Sequence, residues 1–179
     1  MATIVGIEAD GGSAIAGDRL LTRGGTVESE DKRHVFDLGE VGAAAVGESG
    51  DIDGFRRRLE TEVESHETEH GEEMSLTRLA TVASDIADDE GVEAIVVGRE
   101  DDGAAGIRGI GSDGSVLSDD MVAFGSGAQV AIGVLEGRED GLGVDDAEES
   151  ARDAVETASD RDTDTGADAD TYRLADASE

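Results

Sequence analysis

Thr3-Ile4-Val5-Gly6-Ile7 is an unbroken apolar, β-branched run, and Ser13-Ala14-Ile15-Ala16-Gly17 is a second, with Gly11-Gly12 between them. That pattern predicts two strands joined by a glycine turn. The second strand ends in Asp18-Arg19, a carboxylate and a guanidinium side by side at a strand terminus. Residues 20–31 are polar and read as a loop with a short extended piece at Gly25-Thr26-Val27. Residues 33–38 alternate at period two, and 41–47 follow across Gly39-Glu40, which predicts a second hairpin. From Asp51 the period changes to three and four: Ile52, Phe55, Leu59 and Val63 form one stripe of an amphipathic helix that runs to about His70 and ends at Gly71. A second helix starts at Ser75, an N-cap residue, with Leu76, Leu79, Val82, Ala83 and Ile86 along one side. These two helices should pair.

Strand character returns over 94–98, 104–110, 115–117 and 121–124. Gly125-Ser126-Gly127 then opens a short apolar helix through Leu135, placing Ser126 at a strand-to-helix junction. A last helix over about 145–160 presents Ala147, Ala151, Ala154, Val155 and Ala158 on one face. Residues 163–169 are a polar loop, 171–174 a final strand, and 175–179 should fray. Runs of strands broken by paired helices predict an α+β fold in which two sheets lie between helical layers. One domain over 1–179 accommodates all of it.

Composition changes this picture in one respect. The net charge is -31, Lys32 is the only lysine, aromatic residues are 2%, and proline, cysteine and tryptophan are absent. Such a chain invites a reading of disorder, which the periodicities oppose. The alternative is a folded protein adapted to a high-salt cytoplasm, where the Debye length shrinks to about 3 Å at molar salt and carboxylate repulsion is screened. An acidic interaction protein is the plainer competing reading. Nucleic acid is not an expected partner, because the basic residues cluster only at Lys32-Arg33 and Arg56-Arg57-Arg58. No apolar run approaches a membrane span and no secretory leader is visible, so a cytoplasmic location is expected. Without cysteine there is no disulfide or thiolate metal site. His66 and His70 stand at i, i+4 and could present a metal pair, but Glu62, Glu67 and Glu69 around them read as a solvated polar face. No metal or cofactor is expected.

Several short matches, in order along the chain, carry a resemblance. They are Thr3-Ile4-Val5-Gly6, Ala16-Gly17-Asp18-Arg19, Gly25-Thr26-Val27, Val35-Phe36, Gly47 with Gly50-Asp51, Leu79-Ala80, Gly125-Ser126-Gly127 with Gly133-Val134-Leu135-Glu136, and Arg161-Asp162 with Thr165-Gly166. The chain resembles the proteasome β-subunit and HslV peptidase family of N-terminal-nucleophile hydrolases. The resemblance implies a four-layer α/β/β/α sandwich of two antiparallel sheets between helical layers, and assembly into a homo- or hetero-oligomeric ring. It also implies a mechanism: a mature N-terminal threonine attacks a peptide carbonyl, its own amine takes the proton, and a lysine paired with an aspartate lowers the hydroxyl's pKa. Backbone N–H donors support the oxyanion.

Carried over by residue, Asp18 is the aspartate, Ser126 the serine before the third helix, Asp162 the second aspartate, and Thr165 stands at the following serine. Gly47 is the oxyanion glycine. The nucleophile position falls on Ala2 and the lysine position on His34. With Met1 removed before a small residue, Ala2 would lead the mature chain, and alanine has no nucleophile. His34 would be mostly neutral near pH 7 unless a carboxylate such as Asp18 raised its pKa.

The sequence therefore reads as a non-catalytic or degenerate ring paralogue in intracellular protein degradation, a pseudoenzyme of the threonine-peptidase family. The alternative is an active threonine-type endopeptidase after trimming to Thr3, the only fallback nucleophile. One residue of offset turns that side chain to the other face of its strand. A rewired hydrolase, with His34 oriented by Asp18 as base for Ser126, is a third arrangement; the plainer alternative is that Ser126 caps a helix while Asp18 pairs with Arg19 or His34. A binding module of unknown ligand is the last.

Overall fold

The computed structural model describes residues 1–177. The two opening runs form β1 (Thr3–Ala9) and β2 (Gly12–Asp18), paired antiparallel around a tight turn. The polar stretch that follows is more regular than its composition suggests. It folds as a two-stranded ribbon, β3 (Leu21–Arg23) and β4 (Thr26–Ser29), across Gly24-Gly25. Both glycines take positive φ, the conformation a two-residue hairpin loop requires. The second hairpin is β5 (Val35–Asp37) with β6 (Gly42–Val46).

Helix α1 (Ser49–His70) starts two residues before Asp51, where the period changes, and ends at left-handed Gly71, whose N–H donates to the Glu67 carbonyl. Helix α2 (Leu76–Glu90) is capped as its sequence predicts, with Ser75 Oγ accepting from the Arg78 N–H. Strands β7 (Glu93–Arg99), β8 (Ala105–Ile110), β9 (Val116–Leu117) and β10 (Met121–Gly125) lead to α3 (Ala128–Glu136), α4 (Val144–Ser159) and β11 (Ala169–Ala175).

Apart from the β3–β4 ribbon, the strands divide into a four-stranded sheet, β10-β1-β2-β11, and a five-stranded sheet, β5-β6-β7-β8-β9. Every pairing in them is antiparallel. Three apolar layers hold the molecule together. Phe55, Leu59, Leu76, Leu79 and Val96 pack α1 and α2 on the five-stranded sheet. Val5, Ala14, Ala16, Ala151 and Val155 pack α3 and α4 on the four-stranded one. Ile4, Ile15, Val35, Val46, Ile95 and Ile107 fill the space between the sheets. This is the expected α/β/β/α sandwich, and it explains the small residues of α4: alanines at 147, 151, 154 and 158 are all buried where the helix lies close on β1 and β2.

The C-terminal end is tied down further than expected. Ala175 is in β11, the Asp176 and Ala177 N–H groups donate to the Gly11 and Gly103 carbonyls, and the Asp176 carboxylate accepts from the Ala105 N–H. Residues 175–177 are therefore tied down where fraying was expected, and 178–179 lie outside the described residues. Among the described residues no helix is long and apolar enough to cross a membrane.

Candidate functional site

The site forms where β1 begins. Successive residues of a strand face opposite sides, and here the alternation separates two layers. Ala2, 4% exposed, joins the core between the sheets, whereas Thr3 turns toward the α3 side. The Thr3 hydroxyl is buried and accepts from the Gly127 N–H at 2.9 Å. Gly127 is the N-cap residue of α3 and has no side chain to satisfy the helix's free donors, so Thr3 supplies a cap from another strand. The same hydroxyl lies 2.7 Å from Thr165 Oγ1, which donates to Asp162 at 2.6 Å.

Asp18 is the second anchor. At the end of β2 it is buried, with one carboxylate oxygen accepting from the Thr3 N–H (2.8 Å) and the other from the Leu20 (3.0 Å) and Gly166 (2.8 Å) N–H groups. Burial pushes its pKa up against the pull of those three donors. Arg19 does not pair with it. Arg19 instead grips Asp170 through Nε and Nη2, and Arg33 reaches the same carboxylate at 2.9 Å. Asp170, near the start of β11, is a residue that sequence reasoning missed, because one aspartate in an aspartate-rich stretch carries no distinguishing signal.

His34 is 1% exposed, and its Nδ1–H donates to the backbone carbonyl of Asp18 at 2.7 Å, not to the carboxylate. Burial lowers its pKa from the usual 6.5, outweighing the opposite pulls of that hydrogen bond and of the Asp18 charge. Asp18 therefore does not make His34 cationic at neutral pH. Lys32, two residues away, cannot stand in: its Nζ is held by Asp53 at 2.6 Å. A pH prediction follows. A group whose pKa is depressed on folding contributes stability above its unfolded value and loses it as pH falls through the folded one. Wild type should lose stability relative to His34→Asn, which keeps a donor near Nδ1 without titrating, as pH falls below 6.5. Paired denaturant titrations across that range check this; parallel curves would refute it.

Ser126 does not cap α3. Its Oγ lies against both the Asp162 carboxylate and the Met1 carbonyl, two acceptors that compete for its single proton. Burial works against ionisation of Asp162, but the hydrogen bonds from Ser126 and Thr165 hold its pKa below the usual value. Asp18, Thr3, Thr165, Asp162 and Ser126 are thus one connected network. His34 touches it only through the Asp18 backbone, and no hydrogen bond among the described residues joins His34 to Ser126, so the Ser–His–Asp arrangement is not assembled.

Gly47 precedes α1 with φ +154°, and a Cβ there would meet Val92 at 3.1 Å. Met1, Thr22, Arg23, Gly47, Glu48 and Asp51 help line a cleft of about 560 Å³, which meets the network through Met1, whose carbonyl contacts Ser126. A second glycine controls the entrance of β1. Gly125, paired with Thr3, has φ +106°, and a side chain there would run into the Ala2 carbonyl.

A family model described as Proteasome subunit matches residues 1–174. The chain is 37% identical over 171 residues to the proteasome subunit beta of Halorhabdus utahensis, covering 92% of this chain and 72% of that protein. It is 37% identical over 169 residues to the proteasome subunit beta of Halomicrobium mukohataei (92% and 71%). To proteasome subunit beta 1 of Staphylothermus marinus it is 35% identical over 179 residues (96% and 84%).

Proposed function

The chain belongs to the proteasome subunit family, and from that premise we propose that it is a β-type ring subunit without peptide-bond hydrolysis, working in intracellular protein degradation as a structural or assembly partner. One observation carries the reading. The residue at the nucleophile position, Ala2, offers only a methyl group between the sheets, and the neighbouring hydroxyl, Thr3, is buried on the opposite face.

The support positions remain connected around that gap. Asp18 fixes the start of β1, Ser126 and Thr165 converge on Asp162, and Gly47 lies at the cleft. What the threonine mechanism lacks is the attacking oxygen and the nearby positive charge, because His34 is held neutral by burial. Trimming to Thr3 does not repair this. The Thr3 hydroxyl would have to leave both Gly127 and Thr165 before it could attack anything in the cleft. The acidity of the chain supports a site of work in a salt-rich cytoplasm, where a net charge of -31 is screened.

Fluorogenic peptides assayed in molar KCl test the proposal. Wild type and a chain prepared to begin at Thr3 should show no turnover above buffer, while native mass spectrometry in volatile salt finds ring-sized assemblies, alone or with other proteasome subunits. Wild-type turnover abolished by Thr3→Ala would overturn the reading in favour of a threonine peptidase, and a chain that stays monomeric under all mixing conditions would remove the ring role.

A further inference from the structure

His66 and His70 lie one helical turn apart near the C-terminal end of α1, with ring centroids 4.4 Å apart and planes tilted by 41°. Residues at i and i+4 share a helix face, and Glu62 continues that stripe one turn earlier. The stripe lies off the buried side, which carries Ile52, Phe55, Leu59 and Val63. His70 and Glu62 are exposed and His66 is half-buried, so solvent reaches the pair.

We propose that these two imidazoles form a binding site for a late first-row divalent cation: Cu²⁺, Ni²⁺ or Zn²⁺. Imidazole nitrogen is a ligand these ions share, whereas Mg²⁺ and Ca²⁺ take oxygen. Two histidines at i, i+4 place two such donors on one side of a single ion. The local field favours a dication. The free carbonyls in the last turn of α1 carry partial negative charge, and Glu62, Glu67 and Glu69 lie within one helical turn of the two histidines.

Among the described residues no group of three His, Cys, Asp or Glu side chains is arranged to hold a metal. The chain therefore supplies two ligands and water completes the sphere, which makes the site open and exchangeable. The ion's effect on the protein is local: it ties the last turn of α1 to the turn before it. The remaining histidine, His34, is buried and engaged with Asp18, so it does not compete.

Calorimetric titration of the full chain in molar KCl, where carboxylate attraction is screened, tests the site with Cu²⁺, Ni²⁺ and Mg²⁺. The expected result is one saturable site, tighter for Cu²⁺ than for Ni²⁺, with no comparable Mg²⁺ binding. His66→Gln and His70→Gln should each weaken Ni²⁺ by about tenfold or more, since losing even a ligand's outer-shell partner costs about 10–100-fold, and the double variant should abolish the site. Glutamine is a good helix former, and circular dichroism confirms that α1 is retained. The proposal is overturned if wild type shows no saturable Ni²⁺ binding, if the double variant binds Ni²⁺ as wild type does, or if Mg²⁺ binds equally well.

Discussion

Asp18→Ala is expected to destabilise the fold by about 4 kcal/mol, the cost of leaving one buried and two half-buried donors unpaired at about 1–3 kcal/mol each. The carboxylate is the shared acceptor of three backbone N–H groups from three separate places in the chain: Thr3 on β1, Leu20 just beyond β2, and Gly166 in the loop before β11. Alanine removes the shared acceptor of all three. Asp18→Asn separates charge from acceptor count. Its single carbonyl oxygen can serve Leu20 and Gly166, but its amide nitrogen then faces the Thr3 N–H, donor against donor. It should fall between alanine and wild type. Denaturant unfolding in molar salt measures both, and a loss below about 1 kcal/mol for alanine would mean that water replaces the carboxylate freely.

Gly125→Ala should cost about 3 kcal/mol or more, from a left-handed backbone no alanine favours together with a backbone collision. Gly125 ends β10 opposite Thr3, with φ +106°. The Cβ would be driven into the Ala2 carbonyl and against Thr3. Neither obstacle is a flexible side-chain end that could swing aside, so β1 and β10 must part at this point. The damage should centre on the candidate site: amides of residues 3–5 and 123–127 should lose hydrogen-exchange protection before those of the five-stranded sheet. Uniform loss of protection, or none, would contradict the assignment.

Much of the architecture was legible because it is written locally. The three- and four-residue spacing of Ile52, Phe55, Leu59 and Val63 predicts α1, Ser75 and Gly71 mark helix boundaries, and period two predicts the hairpins. The β3–β4 ribbon leaves a weaker trace in the sequence: its residues are mostly exposed, so apolar alternation is weak and Gly24-Gly25 is the main signal. The candidate site was half legible. Resemblance placed Asp18, Ser126, Asp162 and Thr165 together, and the folded chain does join them through Thr3.

What the sequence determined alone is chemical identity. A methyl stands at position 2, an imidazole at 34, and an alternating strand between them and the second hairpin puts Thr3 on the face opposite Ala2 whatever the rest of the chain does. Partnership was decided only by tertiary structure. In a chain with 45 acidic residues, nothing local says that Arg19 will choose Asp170, 151 positions away, over the adjacent Asp18, or that Thr3 will meet Thr165. Nor does it say that His34 will hydrogen-bond a backbone carbonyl and stay neutral. Those choices depend on which groups lose water together when the sheets and helices close, and desolvation is a property of the packed molecule, not of any segment.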